Sequence, residues 1–247
     1  MTFSPQSRTI PVLLAVVSLC ALLLFGCAQE PATTTEETAT PPAAEPSMGG
    51  ETTEPSEAPT TAQAEPSLLN PSSITEQAPE EYTARFETSK GVVRIQVTRS
   101  SAPLGADRFY ALIKNGFYDG CRFFRVVPGF VVQFGLNGDP AINKVWREQQ
   151  IRDDPVVRTN RRGTVTFATA GANTRTTQLF INLGANAFLD SQGFAPFGDV
   201  VEGMDVVESI YAGYGQEPDQ GLITSQGNEY LEGQFPRLDY IETAAIE

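Results

Sequence analysis

The chain has 247 residues, no histidine and a formal charge of −13 at pH 7. Without histidine, Ser-His-Asp and Cys-His catalysis and every histidine-ligated metal site are excluded. The negative charge is concentrated in residues 28–81, which hold eleven Glu and no Lys or Arg. From Tyr82 onward 16 basic residues nearly balance 19 acidic ones, which gives no reason to expect nucleic acid as a partner.

Residues 1–26 read as an export signal. Arg8 supplies a short positive start, and Ile10 to Phe25 is an apolar run that falls short of the roughly 20 residues of a membrane span. The run ends in Leu24-Phe25-Gly26-Cys27, which resembles a bacterial lipobox. That resemblance implies a lipid on Cys27 and a chain exported and anchored to the bacterial cell envelope, on its periplasmic or extracellular face. An ordinary cleaved signal and an uncleaved span are the alternatives. Cys20 leaves with a cleaved signal. Cys121, with no histidine to activate it, reads as a packing residue. Residues 27–80 are rich in Pro, Thr, Glu, Ala and Ser. They bury too little apolar surface to offset chain entropy and are expected to be a disordered tether or a passive leader.

Residues 81–247 suit one folded domain. A hairpin is predicted over Tyr82 to Val97, turning at Lys90-Gly91. Ala102-Pro103 opens a helix with Leu104, Phe109, Leu112 and Ile113 at helical spacing, and Asn115-Gly116 closes it. Phe123 to Gly135 is a dense β-forming run, split by Pro128-Gly129. Residues 136–162, with the only tryptophan, Trp146, read as a polar surface excursion with a helical turn near 144–149. Strands follow at 163–170, 178–181 and 194–201, with turns at 171–174 and 189–193. A second short helix is expected over Met204 to Tyr211, then loop with a turn of helix at 229–233, then a strand from Leu238 to Ala245. The prediction is a mainly β protein: a closed antiparallel β-barrel capped by two short helices.

Arg125 is the anomaly, because a strand buried on both faces does not carry a guanidinium. Alternation puts Phe124 and Val126 on one face of the first half-strand, opposite Arg125. It puts Gln133 with Val131, and Gln178 with Phe180, each opposite an apolar pair. Side by side, the mixed faces make a shallow apolar groove with one arginine and two glutamines, suited to an uncharged peptide. The same residues also fit an ordinary outer barrel face.

Phe123-Phe124-Arg125-Val126-Val127-Pro128-Gly129-Phe130-Val131-Val132-Gln133-Phe134-Gly135 resembles the signature of the cyclophilins, peptidyl-prolyl cis-trans isomerases. Phe167 to Gly171 with Asn173-Thr174 and Gln178 to Ile181, then Phe188-Leu189-Asp190 and Phe197 to Met204, match two further motifs of that family. The resemblance spans Phe86 to about Ile246 and implies eight strands. By motif position, Arg125 matches the catalytic arginine. Phe130, Val131, Phe180, Phe188 and Leu189 match walls of the proline pocket, and Gln133 the glutamine that supports the arginine. Ala168, Thr169 and Gln178 match the peptide groove, and Phe194 the usual pocket histidine. Phe188 stands where a tryptophan is usual, so tight cyclosporin binding is not expected. Thr176 replaces a glycine and is expected to narrow the groove beyond the proline pocket.

The resemblance implies a monomeric isomerase of X-Pro bonds in proline-containing polypeptides, assisting folding of exported proteins. It implies no cofactor, and its membrane contact is the lipid on Cys27. A non-catalytic peptide-binding or scaffolding module is the alternative.

Overall fold

The structure, a computed structural model, describes residues 67–247. The signal, Cys27 and the tether up to residue 66 lie outside the described residues. Strand β1 (Glu81–Thr88) and strand β2 (Gly91–Thr98) form the predicted hairpin, with cross-strand pairs Tyr82–Val97, Ala84–Ile95 and Phe86–Val93. All six side chains are buried, which is the pairing that stabilises a one-sided sheet. Helix α1 (Pro103–Lys114) buries Phe109, Leu112 and Ile113 in the main core, while Leu104 is exposed.

Strands β3 (Arg125–Val127) and β4 (Val131–Phe134) form a tight hairpin. The Phe130 amide donates to the Val127 carbonyl at 3.0 Å, with Pro128 and Gly129 between them. Gly129 has φ +73°, which a type II turn demands at its third position and a side chain resists. Strands β5 (Thr164–Phe167), β6 (Leu179–Asn182), β7 (Pro196–Glu202) and β8 (Ile241–Ile246) complete one sheet in the order β3-β4-β6-β5-β7-β2-β1-β8, every neighbouring pair antiparallel.

The expected closed barrel is a curled half-barrel. Its edges, β3 and β8, share no ladder. They are joined before β3 begins, by an isolated bridge between Arg122 and Tyr240 and by an Ile241 amide donating to the Cys121 carbonyl at 2.9 Å. The reason lies in Phe123 and Phe124, which precede the strand instead of extending it. Phe123 enters the main core beside Val126, and Phe124 enters a second cluster with Leu136, Ile223, Leu231 and Leu238. The expected sharing of a face by Phe124 and Val126 is therefore corrected.

Five α-helices are present among the described residues, where the sequence indicates two helices and two isolated helical turns. Helix α2 (Pro140–Trp146) starts where the Asp139 carboxylate accepts from the Ala141 amide at 2.8 Å. Helix α3 (Met204–Ser209) is the predicted second helix. Helix α4 (Gln220–Gln226), capped by Asp219 accepting from Leu222 N at 2.9 Å, replaces part of the expected loop, and helix α5 (Asn228–Gln234) falls where the sequence indicated a turn of helix at 229–233. Such caps satisfy orphan helix amides. None of the described helices is long and apolar enough to cross a membrane.

Ordered structure also begins before residue 81. Residues 67–80, expected to be tether, lie along α1 and α2. The Leu68 carbonyl accepts from Trp146 Nε1 at 2.8 Å, the Ala78 amide donates to Asp107 Oδ1 at 3.0 Å, and Leu68 and Ile74 pack on the main core. Trp146, placed by its polar neighbours on a surface excursion, is 3% exposed and sits edge-on to Phe117. Trp146→Phe is expected to cost about 1 kcal/mol, one net hydrogen bond. Urea unfolding measures the loss, and limited proteolysis is expected to cut residues 67–80 faster than in the wild type.

Candidate isomerase site

The β3–β4 hairpin places Arg125 directly opposite Gln133, and the β4–β6 register places Gln133 opposite Phe180. The alternation read from the sequence holds here: Val132, Phe134, Leu179 and Ile181 point into the main core. Their neighbours Val131 and Phe180 join Leu189 in a separate apolar cluster, with Phe130, Ala168 and Phe194 packed against it. Phe180 and Phe194 meet edge to face at 5.7 Å, a favoured aromatic geometry.

This cluster floors an open cavity of about 380 Å³ lined by Arg125, Phe130, Val131, Gln133, Ala168, Thr169, Gln178, Phe180, Leu189 and Phe194. The structure thus brings together Arg125 and nine of the ten expected groove residues. Phe188 is the exception: it is 55% exposed and stacks on Phe130 at 6.0 Å, outside the lining. It lies on the 3-10 helix Ala187–Gln192, where the sequence indicated a turn. The Thr169 hydroxyl is engaged within its own turn, 2.8 Å from that of Thr174. Thr176 stands between this cavity and a second, of about 330 Å³, whose lining includes Asn143 and Arg147 at α2 and Thr224 and Ser225 on α4. Ala170, Thr174 and Gln220 also line the first cavity and were not foreseen. Gln220 opens a helix that short apolar spacing could not show.

A relay of neutral groups holds the guanidinium. Arg125 Nη1 donates to Gln133 Oε1 at 3.1 Å, Gln133 Nε2 donates to Gln178 Oε1 at 2.9 Å, and Arg125 Nε donates to Gln216 Oε1 at 3.4 Å. The guanidinium also lies 5.6 Å from the centre of the Phe130 ring, within cation–π range. No carboxylate among the described residues pairs with Arg125. Half-burial lowers its pKa from the ordinary value, yet an arginine remains protonated. Cys121 is fully buried and burial pushes its thiol well up, as suits a packing residue. No group of three or more Cys, Asp or Glu side chains able to hold a metal comes together among the described residues.

The half-barrel thus carries an open groove with an apolar floor and one arginine that no carboxylate among the described residues neutralises. The model of the family "Cyclophilin type peptidyl-prolyl cis-trans isomerase/CLD" matches residues 83–226, more than half of the chain. A peptidyl-prolyl cis-trans isomerase of Acinetobacter baylyi is 35% identical over 130 residues, covering 51% of this chain and 69% of that protein. Peptidyl-prolyl cis-trans isomerase A of Dickeya dadantii is 36% identical over 128 residues, covering 50% and 67%. The fold matches the crystal structure of a Cryptosporidium parvum cyclophilin-type isomerase with a TM-score of 0.51 and 21% identity, over 68% of this chain and 98% of that one. The chain belongs to the cyclophilin-type peptidyl-prolyl cis-trans isomerases, and isomerisation of X-Pro bonds is its activity.

Proposed function

We propose that Arg125 is the catalytic group of this isomerase, and that the enzyme serves exported, proline-containing polypeptides while a lipid on Cys27 holds it, as a monomer, to the cell envelope. One observation carries the catalytic assignment: a guanidinium is fixed by neutral acceptors at the mouth of an apolar cavity. The envelope location rests on the sequence of residues 1–27.

An X-Pro bond isomerises over a barrier of about 18–20 kcal/mol, in tens of seconds unaided. At the twisted transition state amide resonance is lost and the proline nitrogen regains a lone pair. Arg125 donates an N–H to that lone pair. The planar ground state offers no such acceptor, so the bond lowers the barrier and not merely the energy of binding. The floor of Val131, Phe180 and Leu189 receives the pyrrolidine ring. It favours the twisted amide, which is less polar than the planar one.

No proton is transferred, and the chain has no histidine. The purified chain is therefore expected to accelerate exchange of a prolyl tetrapeptide with kcat/KM flat from roughly pH 5.5 to 8.5, where an arginine stays charged and carboxylates stay ionised. A step or bell in that window sinks the mechanism. Peptide binding without rate acceleration sinks the enzyme in favour of a non-catalytic module.

A further inference from the structure

Gln216 lies between α3 and α4, distant in sequence from the strands, yet its Oε1 stands 3.4 Å from Arg125 Nε. Its segment is fastened to the strand that carries Arg125. The Gly215 carbonyl accepts from the Val126 amide at 2.8 Å, so the backbone beside Gln216 pairs with the outer edge of β3. Tyr214, one residue further back, packs into the second apolar cluster and meets Phe235 edge-on at 5.1 Å. The segment is thus held by backbone pairing and by a small core of its own, and Gln216 is presented from a fixed base.

A guanidinium rotates freely about its last side-chain bonds unless several of its N–H groups are restrained. Gln133 restrains Nη1 from the strand side, and Gln216 restrains Nε from the opposite, loop side. Both acceptors are neutral. A carboxylate at either place would pair with the guanidinium and weaken its offer of a hydrogen bond to the substrate nitrogen. We propose that Gln216 is a positioning residue of the isomerase, which with Gln133 fixes the orientation of the Arg125 guanidinium without neutralising it. The proposal rests on the reading of Arg125 as the catalytic group.

The test uses the full chain and four variants: Gln216→Ala, Gln216→Met, Arg125→Lys and Arg125→Lys with Gln216→Ala. Methionine fills the space of glutamine but accepts no comparable bond. Both Gln216 variants are expected to lower kcat about fivefold, the worth of one neutral hydrogen bond, with KM and thermal midpoint unchanged. In the Arg125→Lys background, which lacks the Nε–H fork, Gln216→Ala is expected to change the rate less than about twofold, as coupled residues do. Wild-type kcat in Gln216→Met would mean that only volume matters at this position and overturns the proposal. The same fivefold loss in both backgrounds overturns it as well, since Gln216 would then act without Arg125. Arg125→Ala, made beside these four, tests the catalytic reading separately: a wild-type rate in that variant removes the role of Arg125 itself, whereas a lysine still donates an N–H.

Discussion

Arg125→Ala is expected to lower kcat and kcat/KM for a prolyl tetrapeptide together, by about 10²–10³, the usual cost of removing one preorganised donor from a transition state. KM should change little, because the planar substrate offers the guanidinium no acceptor at the proline nitrogen. The fold is expected to survive. Arg125 holds no carboxylate and caps no helix, and its bonds go to two glutamine side chains at a solvent-open groove. Its loss leaves Gln133 still bonded to Gln178, and water can reach the vacated side. Protease-coupled isomerisation gives the rate, and circular dichroism gives the fold. A variant with near-wild-type rates would falsify the assignment of the site.

The largest expected loss of stability comes from Asp154→Ala, at about 3–5 kcal/mol. Asp154 is buried, and its two carboxylate oxygens accept from the amides of Leu104 and Gly105 at 3.1 and 2.9 Å, capping α1. It also accepts from Arg175 Nη1 at 3.1 Å, and the Arg175 side chain is only 3% exposed. Removing the carboxylate leaves a buried guanidinium without its closest anion and uncaps the helix that carries Phe109 and Leu112. Urea or thermal unfolding reads the cost. A loss below about 1 kcal/mol would mean that Arg175 relaxes toward Asp153, 3.4 Å from its Nε, and that the pair is not structural. Arg175→Met in the same background is expected to recover part of the stability, since an apolar pair is easier to bury than one charge alone.

The strands were legible where two signals agreed. In β1, β2, β4 and β6 alternation and β-branched or aromatic side chains coincide, and the groove followed from Gln133, Val131 and Phe180 on one face. Legibility failed where contacts set the conformation. Phe123 and Phe124 look like strand by composition, but each is drawn into a different apolar cluster, so the pleat starts only at Arg125. Helices α2 and α4 have seven residues each, too short for a helical period to show in full, and of α2 only a turn near 144–149 was legible. The signals present were their caps, Asp139 before Pro140 and Asp219 before Leu222. Asp154, Trp146 and residues 67–80 sit in polar sequence and are ordered by partners elsewhere in the chain. Gln216 reaches Arg125, and Gln220 the groove, from a segment that Tyr214, Ile223 and Leu231 dock in one cluster with Phe124, which no local pattern encodes.

The short edge strand has a consequence for how the domain opens. Three residues of β3 pair with β4 on one side, and on the other Val126 meets a single carbonyl of the 212–219 segment. Strand edges with few bonds open locally at far lower free energy than the sheet interior. Arg125 is therefore expected to be displaced by local opening of that edge at a lower free energy than unfolding of the whole sheet requires, although Val126 beside it is anchored in the main core. Hydrogen exchange at the Val126 amide, which donates to the Gly215 carbonyl, is expected to be faster than at the amides of β1 and β2 and measures that opening.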